Sequence, residues 1–297
     1  MKDFPIPVRS IGPGSQVEDE VLDYMPMPQG METFRAPLLP EPEQLAGRER
    51  AHAALREALA QLEAVCQGAG TRQVDLAGLD AADLALVNQV LGEGEVSAVV
   101  HPAGEAGLAV QVQEAGLAVQ VQEAVFAGVW RVVTTAQGRV VADAIELGAI
   151  PEVLKQVARQ DVDPVVPRWQ GALPPNVQNA PALLAEIEDQ WRVWRPGQAA
   201  HVVNLTLLPM SVEDIGFLDH HLGTGRVLIL SRGYGNCRIT NTLRPHTWRV
   251  VYYNSQDVVI LNTVEISELP EVAQAAAEDL EDSLERLKEV LAWVEQA

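Results

Sequence analysis

Two stretches decide how this chain folds: DLALVNQVLGEGEV at residues 83–96 and DIGFLDHHLGTGRV at residues 214–227. Asp, Leu, Gly, Gly and Val are identical at equivalent places, 131 residues apart, and the apolar positions otherwise largely correspond. A match of this length in one chain is the signature of an internal duplication, which has to be recognised before any fold is assigned. Outward from it, WRVV at Trp130 recurs at Trp248, and IELGAIPEV (145–153) answers VEISELPEV (264–272) in the same order. The offset falls to 118 and then 119, so the first copy carries about 13 extra residues between its helix and its tryptophan. The reading is two homologous tandem units, 41–170 and 171–297, behind a Pro/Met-rich arm over 1–40.

Each unit gives the same order of elements. A leading helix over 48–66 or 180–194 mixes charged and apolar residues near the 3.6 period. A short strand follows (VDLAGL; HVVNLTLL), then a second helix with Asp80 or Ser211 as N-cap. Gly92 and Gly223 suit the positive φ of its C-terminal cap. Four β runs come next: EVSAVV, QVQEAVFAG, WRVVTT and VVADAIEL in the first unit, and RVLILS, CRITNTL, WRVVYYN and VVILNTVEI in the second. Short Gly/Asn-rich turns between consecutive strands favour antiparallel pairing. The expected class is therefore α+β, each unit a small, mainly antiparallel sheet with flanking helices. A closing helix is expected from Pro151 and from Pro270, proline being allowed in a first turn. The last one, 270 to about 295, is expected to be the longest. Its Leu280, Leu284, Leu287, Leu291 and Val294 follow a 4-3-4-3 spacing for about two heptads. That spacing favours packing on its own unit's sheet over a dimer seam.

Part of the extra length explains itself. EAGLAVQVQ stands at 105–113 and again at 114–122. Strand side chains alternate with period two, so a nine-residue insertion throws Leu108, Val110 and Val112 onto the face opposite Leu117, Val119 and Val121. A turn or bulge near 114–116 is needed, and the second copy should hold the strand register.

The 297 residues include 21 Lys+Arg and 41 Asp+Glu, a formal charge of −20. That argues against sequence-independent nucleic-acid binding, which needs cations against phosphate. Two cysteines, Cys66 and Cys237, cannot make a disulfide scaffold, a four-cysteine zinc site or a self-ligated iron–sulfur cluster. No HExxH or CxxC occurs, and adjacent His220 and His221 point to different sides of a helix. GEGEVS and GTGRVL follow a helix and precede a strand, the reverse of a phosphate loop. No apolar run approaches the length of a membrane span, and MKDFPIPVRS is no export signal. The expectation is a cytoplasmic protein with no cofactor, no bound metal and no catalytic set.

Cys237 is the strongest nucleophile candidate, between Arg232 and Arg238 that would favour a thiolate, with His246 on the next segment as a base. Against this, 233–236 (GYGN) reads as a hairpin turn, and a strand cysteine is ordinarily a small packed side chain. The same tip carries an aromatic and two guanidiniums, residue types enriched at binding hot spots. Arg232, Tyr234, Asn236, Cys237, Arg238 and His246 are therefore taken as partner-binding residues. Tyr24 and Met27 join them from the arm, whose thioethers and aromatics suit a groove, its own domain's being the favoured one.

The segments NAPALLAEIEDQ, HVVNLTLLPMS, FLDHHLGTGRVLILSRGYGNCRITNT and RPHTWRVVYYNSQD, with DLALVNQVLGEGEVSA, IGPGSQ and YMPMPQGMETFR, resemble the HupH/HyaF family of hydrogenase expression proteins. The resemblance spans nearly the whole chain. It implies help in assembling an uptake [NiFe]-hydrogenase without a reaction of its own. The implied client is the iron–sulfur small-subunit precursor before twin-arginine export, often beside a thioredoxin-like accessory protein. The alternatives are a thiol-dependent enzyme or redox accessory acting through Cys237, and a general scaffold for several maturation factors.

Overall fold

The structure, a computed structural model, describes residue 40 and residues 45–102, 117–233 and 235–295. The α+β expectation holds. Among the described residues ten strands form one fully antiparallel sheet, and six α-helices accompany it. In chain order these are α1 (Glu49–Cys66), β1 (Arg72–Asp75), α2 (Ala81–Leu91), β2 (Val96–Val100), β3 (Leu117–Glu123), β4 (Val129–Ala136), β5 (Arg139–Leu147) and α3 (Glu152–Gln160). Then come α4 (Ala180–Val193), β6 (His201–Asn204), α5 (Val212–Leu222), β7 (Val227–Ser231), β8 (Asn236–Asn241), β9 (Thr247–Tyr253), β10 (Val259–Ile266) and α6 (Ala277–Val294).

The strand order is β1-β5-β4-β3-β2-β7-β8-β9-β10-β6. Read from the middle outward, the two halves run through their strands in the same sequence. They do not stand apart as two small sheets: β2 pairs with β7 from Val96↔Ser231 to Val100↔Val227. That ladder is centred on Ala98↔Ile229, residues 131 apart, so each central residue faces its own counterpart. Such isologous pairing removes the exposed edge that each half would otherwise present.

Local chemistry explains the repeated elements. Asp80 Oδ1 accepts from the backbone N–H of Ala82 and Asp83 at the start of α2. Ser211 and Asp214 form a capping box at the start of α5. Gly92 and Gly223 take φ of 60° and 68° after these helices. The second glycine of each LGxG has a different reason. Gly94 donates to Glu123 O at 2.7 Å and Gly225 to Asn241 O at 2.8 Å, and a Cβ on either would collide with the neighbouring strand end.

Three apolar clusters follow from the pleat. At one end of the sheet α1, α2 and α6 pack on Val74, Val129, Ile145 and Leu147. At the other end α4 and α5 pack on Val203, Val264 and Ile266 on the same face. The reverse face buries Trp130, Trp248, Val121, Ile229 and Ile239 under α3 and a 3₁₀ turn at Glu271–Ala273.

The end of the chain departs from expectation. Pro270 opens only that 3₁₀ turn, and an extended stretch follows in which Ala275 N–H donates to Ala149 O. The helix starts at Ala277 and packs on α1, so it covers the first half and not its own. Tertiary contact with Ala149 has overridden the helical propensity of the Ala-rich run. At 18 residues α6 equals α1 in length. The second copy of the nonapeptide enters β3, with Val119 and Val121 buried and Leu117 exposed. Its first copy, with Leu108, Val110 and Val112, lies outside the described residues.

Candidate binding face

Because helices occupy only the two ends of one sheet face, its centre is open among the described residues. Two rows of side chains cross it from β4 to β9. One runs Arg131, Gln122, Ser97, Leu230, Arg238, Val251, and the other Arg249, Thr240, Leu228, Val99, Gln120, Val133. The rows run in opposite directions about the β2–β7 seam. Leu230 is 40% exposed, Gln120 and Arg238 are exposed, and the other nine are half-buried. On the reverse face Ala98, Val121, Ile229, Ile239 and Val250 are all 3% exposed or less. An apolar centre of leucine and valine bordered by arginine and glutamine has the composition of an interaction surface.

The arginines link this floor to the flanking helices. Arg131 forks onto Asp143 of β5 and donates to Asn88 Oδ1 of α2, which uses its Nε, Nη1 and Nη2. Arg249, its counterpart, lies 3.5 Å from Asp219 of α5, and its Nη1 is buried without a partner among the described residues. Arg238 makes no ion pair among them. The two halves thus present equivalent arginines with different spare capacity.

The hairpin tip divides across the sheet. Asn236, Arg238 and Thr240 alternate onto the open face, while Cys237 and Ile239 point the other way. Cys237 is 3% exposed, and burial pushes its thiol up to about 11 despite a hydrogen bond with Tyr252. The side chain therefore sits away from the exposed tip, and burial disfavours the thiolate that a nucleophile needs. Arg232 is exposed, and its N–H donates to Glu95 O of the first half. Tyr234, Tyr24 and Met27 lie outside the described residues.

His246 stands at the opposite end of β8 from Cys237, so the thiol–imidazole pair of a cysteine catalyst is not assembled. It packs at a tilt against Trp194, ring centroids 4.8 Å apart, at φ 54°, and its C=O accepts from Ser267 N–H. Burial, then Arg159, lowers its pKa. It borders a cavity of about 220 Å³ shared with Lys155, Arg159, Arg244, Trp248 and Glu268. The cations there are matched: Arg159 to Glu268 at 2.6 Å, Lys155 to Glu152 at 3.5 Å, and Arg244 to the carbonyls of Asp163 and Val165.

Among the described residues no three His, Cys, Asp or Glu side chains gather as a metal site, and no helix is long and apolar enough to cross a membrane. His220 is exposed, while His221 is buried with Nδ1 2.8 Å from Phe217 O.

The open face escaped the sequence reading, although a signal was present. EVSAVV and RVLILS are apolar on both sides of the strand, a pattern that asks for cover on both faces. Among the described residues only one face receives it.

The fold is a single antiparallel sheet built from two like half-sheets. The model of the HupH hydrogenase expression protein C-terminal conserved region matches the chain twice, at residues 49–171 and 177–294. The chain belongs to the HupH family of hydrogenase expression proteins. It is 54% identical over 297 residues to the hydrogenase expression/formation protein HoxQ of Cupriavidus necator, covering 99% of each chain. It is 46% identical to HupH of Rhodobacter capsulatus, covering 98% of each. To the hydrogenase-1 operon protein HyaF of Escherichia coli it is 32% identical, over 97% of this chain and 96% of that one. A solved structure of the hydrogenase expression protein HupH from Thiobacillus denitrificans is 25% identical, covering 38% of this chain and 95% of that one with a TM-score of 0.36.

Proposed function

We propose that this protein is a non-enzymatic maturation chaperone for an uptake [NiFe]-hydrogenase. It acts in the cytoplasm and holds the iron–sulfur small-subunit precursor before twin-arginine export, with a thioredoxin-like accessory protein as a second partner. The observation that carries the reading is the end-to-end likeness, at 54% identity, to a protein named for hydrogenase expression and formation. An open apolar face and a buried, unpaired-with-base Cys237 accord with holding a client. We also read 49–171 and 177–294, the two segments matched by one family model, as copies of a single unit.

The charge of −20 supports the choice of client. An export signal is basic, and opposite charge raises encounter rate more than final affinity. The experiment is a pull-down from hydrogenase-expressing cells. Small-subunit precursor should be retained, with less recovered as salt rises. Recovery of the large subunit alone, or of neither, rejects the proposal.

A further inference from the structure

We infer that the open face of the central sheet receives an amphipathic helix of a protein partner, its apolar side on Leu228, Leu230 and Val99 and a carboxylate-bearing end over Arg238. The inference names the contact surface for the holding role proposed above and rests on that role for the identity of the natural client.

Dimensions come first. β4 and β9 are five strand spacings apart, about 24 Å at roughly 4.8 Å each. A helix of about 16 residues spans that width at 1.5 Å per residue. The helical groups at the two ends of the face limit an occupant to the strip between them: Asn88 of α2 and Asp219 of α5 mark its sides through their contacts with Arg131 and Arg249.

Charge then sets the direction. In the first half Arg131 is taken up by Asp143 and Asn88, and the residue at the Arg238 position is Gln120. In the second half Arg238 is exposed and has no ion pair among the described residues, while Arg249 is held beside Asp219 with its Nη1 buried out of a partner's reach. A carboxylate therefore gains charge-assisted hydrogen bonds at the β8–β9 end and only amide partners at the β3–β4 end. The overall −20 charge repels such a carboxylate at long range, but that repulsion is screened beyond about 8 Å at physiological salt, whereas the guanidinium contact is direct.

The probe is an acetylated, amidated 16-residue amphipathic peptide with a leucine stripe and glutamates confined to one end, labelled and titrated by anisotropy at 150 mM salt. A twin carries lysines in place of the glutamates. The glutamate peptide should bind at least ten-fold tighter than its twin. Arg238→Glu should reverse that preference, and Leu230→Asp should abolish binding of both while circular dichroism and melting stay unchanged. Equal binding of the two peptides, binding that survives Leu230→Asp, or no binding at all overturns the inference. So does a dimer of this protein that Leu230→Asp converts to monomer, because the occupant is then a second copy.

A photocrosslinker at position 230 and another at Val202, exposed at the sheet edge, separate this inference from the functional reading when small-subunit precursor is added. Crosslinks from 230 support both. Crosslinks from 202 alone keep the client and reject the face. No crosslink from either, with no co-purification, rejects the client and leaves the peptide titration to judge the face.

Discussion

The two halves of the sheet share one order of strands, yet they are stabilised by different chemistry at matching positions. Glu123 and Asn241 occupy the same site at the ends of β3 and β8, each behind the close approach of a glycine. Asn241 accepts from Val227 N–H and donates to Asp161, which also binds Arg226. Glu123 accepts from Gly128 N–H at 3.4 Å and from the backbone N–H of Val96, but it meets no side-chain partner equivalent to Asp161 among the described residues. Gly128 and His246 occupy a second such site: the glycine is pressed by Leu280 of α6, while the histidine lies against Trp194. A repeated backbone thus fixes where side chains go, and the segment that covers each half decides which side chains are tolerated.

Asp214 shows the largest difference. It is 1% exposed, and its carboxylate accepts from the backbone N–H groups of Gln178, Asn179, Ala180 and Ser211, three of them at the start of α4. Burial alone would raise its pKa, but these four donors bring it down to about 2. Asp214→Ala leaves buried donors unsatisfied and should cost about 4 kcal/mol in urea unfolding. Asp83→Ala, at the equivalent position of the first half where the carboxylate lies 3.8 Å from Arg48, should cost less. The pH dependence has a definite sign. A depressed pKa contributes stability above the ordinary carboxylate value and loses it as pH falls towards 2. Asp214→Asn should flatten the unfolding profile across that window, and an unchanged acid limb would show that other carboxylates govern it.

Gly128 comes next. Its φ is 78°, and a Cβ there would strike Leu280 Cδ2 and approach Gly148 O at 3.2 Å. Gly128→Ala combines backbone strain with displacement of α6, for an expected loss of roughly 3 kcal/mol. A chain truncated before Ala277 no longer has Leu280, so in that background the alanine should cost only about 1 kcal/mol for the strain. Equal losses in both backgrounds would show that α6 does not press on this site.

Glu123 should give a smaller effect of opposite sign. Burial pushes its pKa up to about 7. The folded state then holds more protons than the unfolded one between the ordinary value and about 7, so stability falls as pH rises through that window and stays lowered above it. Glu123→Gln, which imitates the amide of Asn241, should stabilise the protein by about 1–2 kcal/mol at pH 8 and leave it unchanged near pH 4. Melting temperatures at the two pH values measure this. A gain of the same size at both would place the effect in packing.

Much of this comparison was legible in the sequence, for reasons that are local. The LGxG pairs, the caps at Asp80 and Ser211, the matched tryptophans and the antiparallel hairpins follow from backbone conformation within a few residues. The partners across the fold were not legible. No pattern near Ala98 says that it faces Ile229, because strand pairing at a sheet centre is a long-range choice. The spacing of Leu280, Leu284, Leu287 and Leu291 states that α6 buries one stripe, not that α1 receives it. Arg238 was chosen from its hairpin and does reach the open face; Cys237 beside it does not, because adjacent strand residues alternate. His246, chosen with them, is held at the far end of the same strand.

That histidine gives the finest test of the comparison. At φ 54° it takes up the left-handed backbone that Gly128 adopts without strain, which costs a side-chain-bearing residue roughly 1 kcal/mol. Its ring returns a similar amount through its tilted contact with Trp194, about 0.5–1.5 kcal/mol for a pair of aromatic rings. Burial and then Arg159 lower the pKa of the imidazole, favouring its neutral form. His246→Gly removes strain and ring contact together and should change stability by less than about 0.5 kcal/mol. His246→Ala keeps the strain and loses the ring contact, and should cost about 1 kcal/mol more than the glycine variant. The difference between the two variants, measured by urea unfolding under one condition, isolates the backbone contribution. If alanine and glycine prove equal there, the left-handed turn is not what distinguishes these two corners, and the contact with Trp194 alone accounts for a histidine where the first half has glycine.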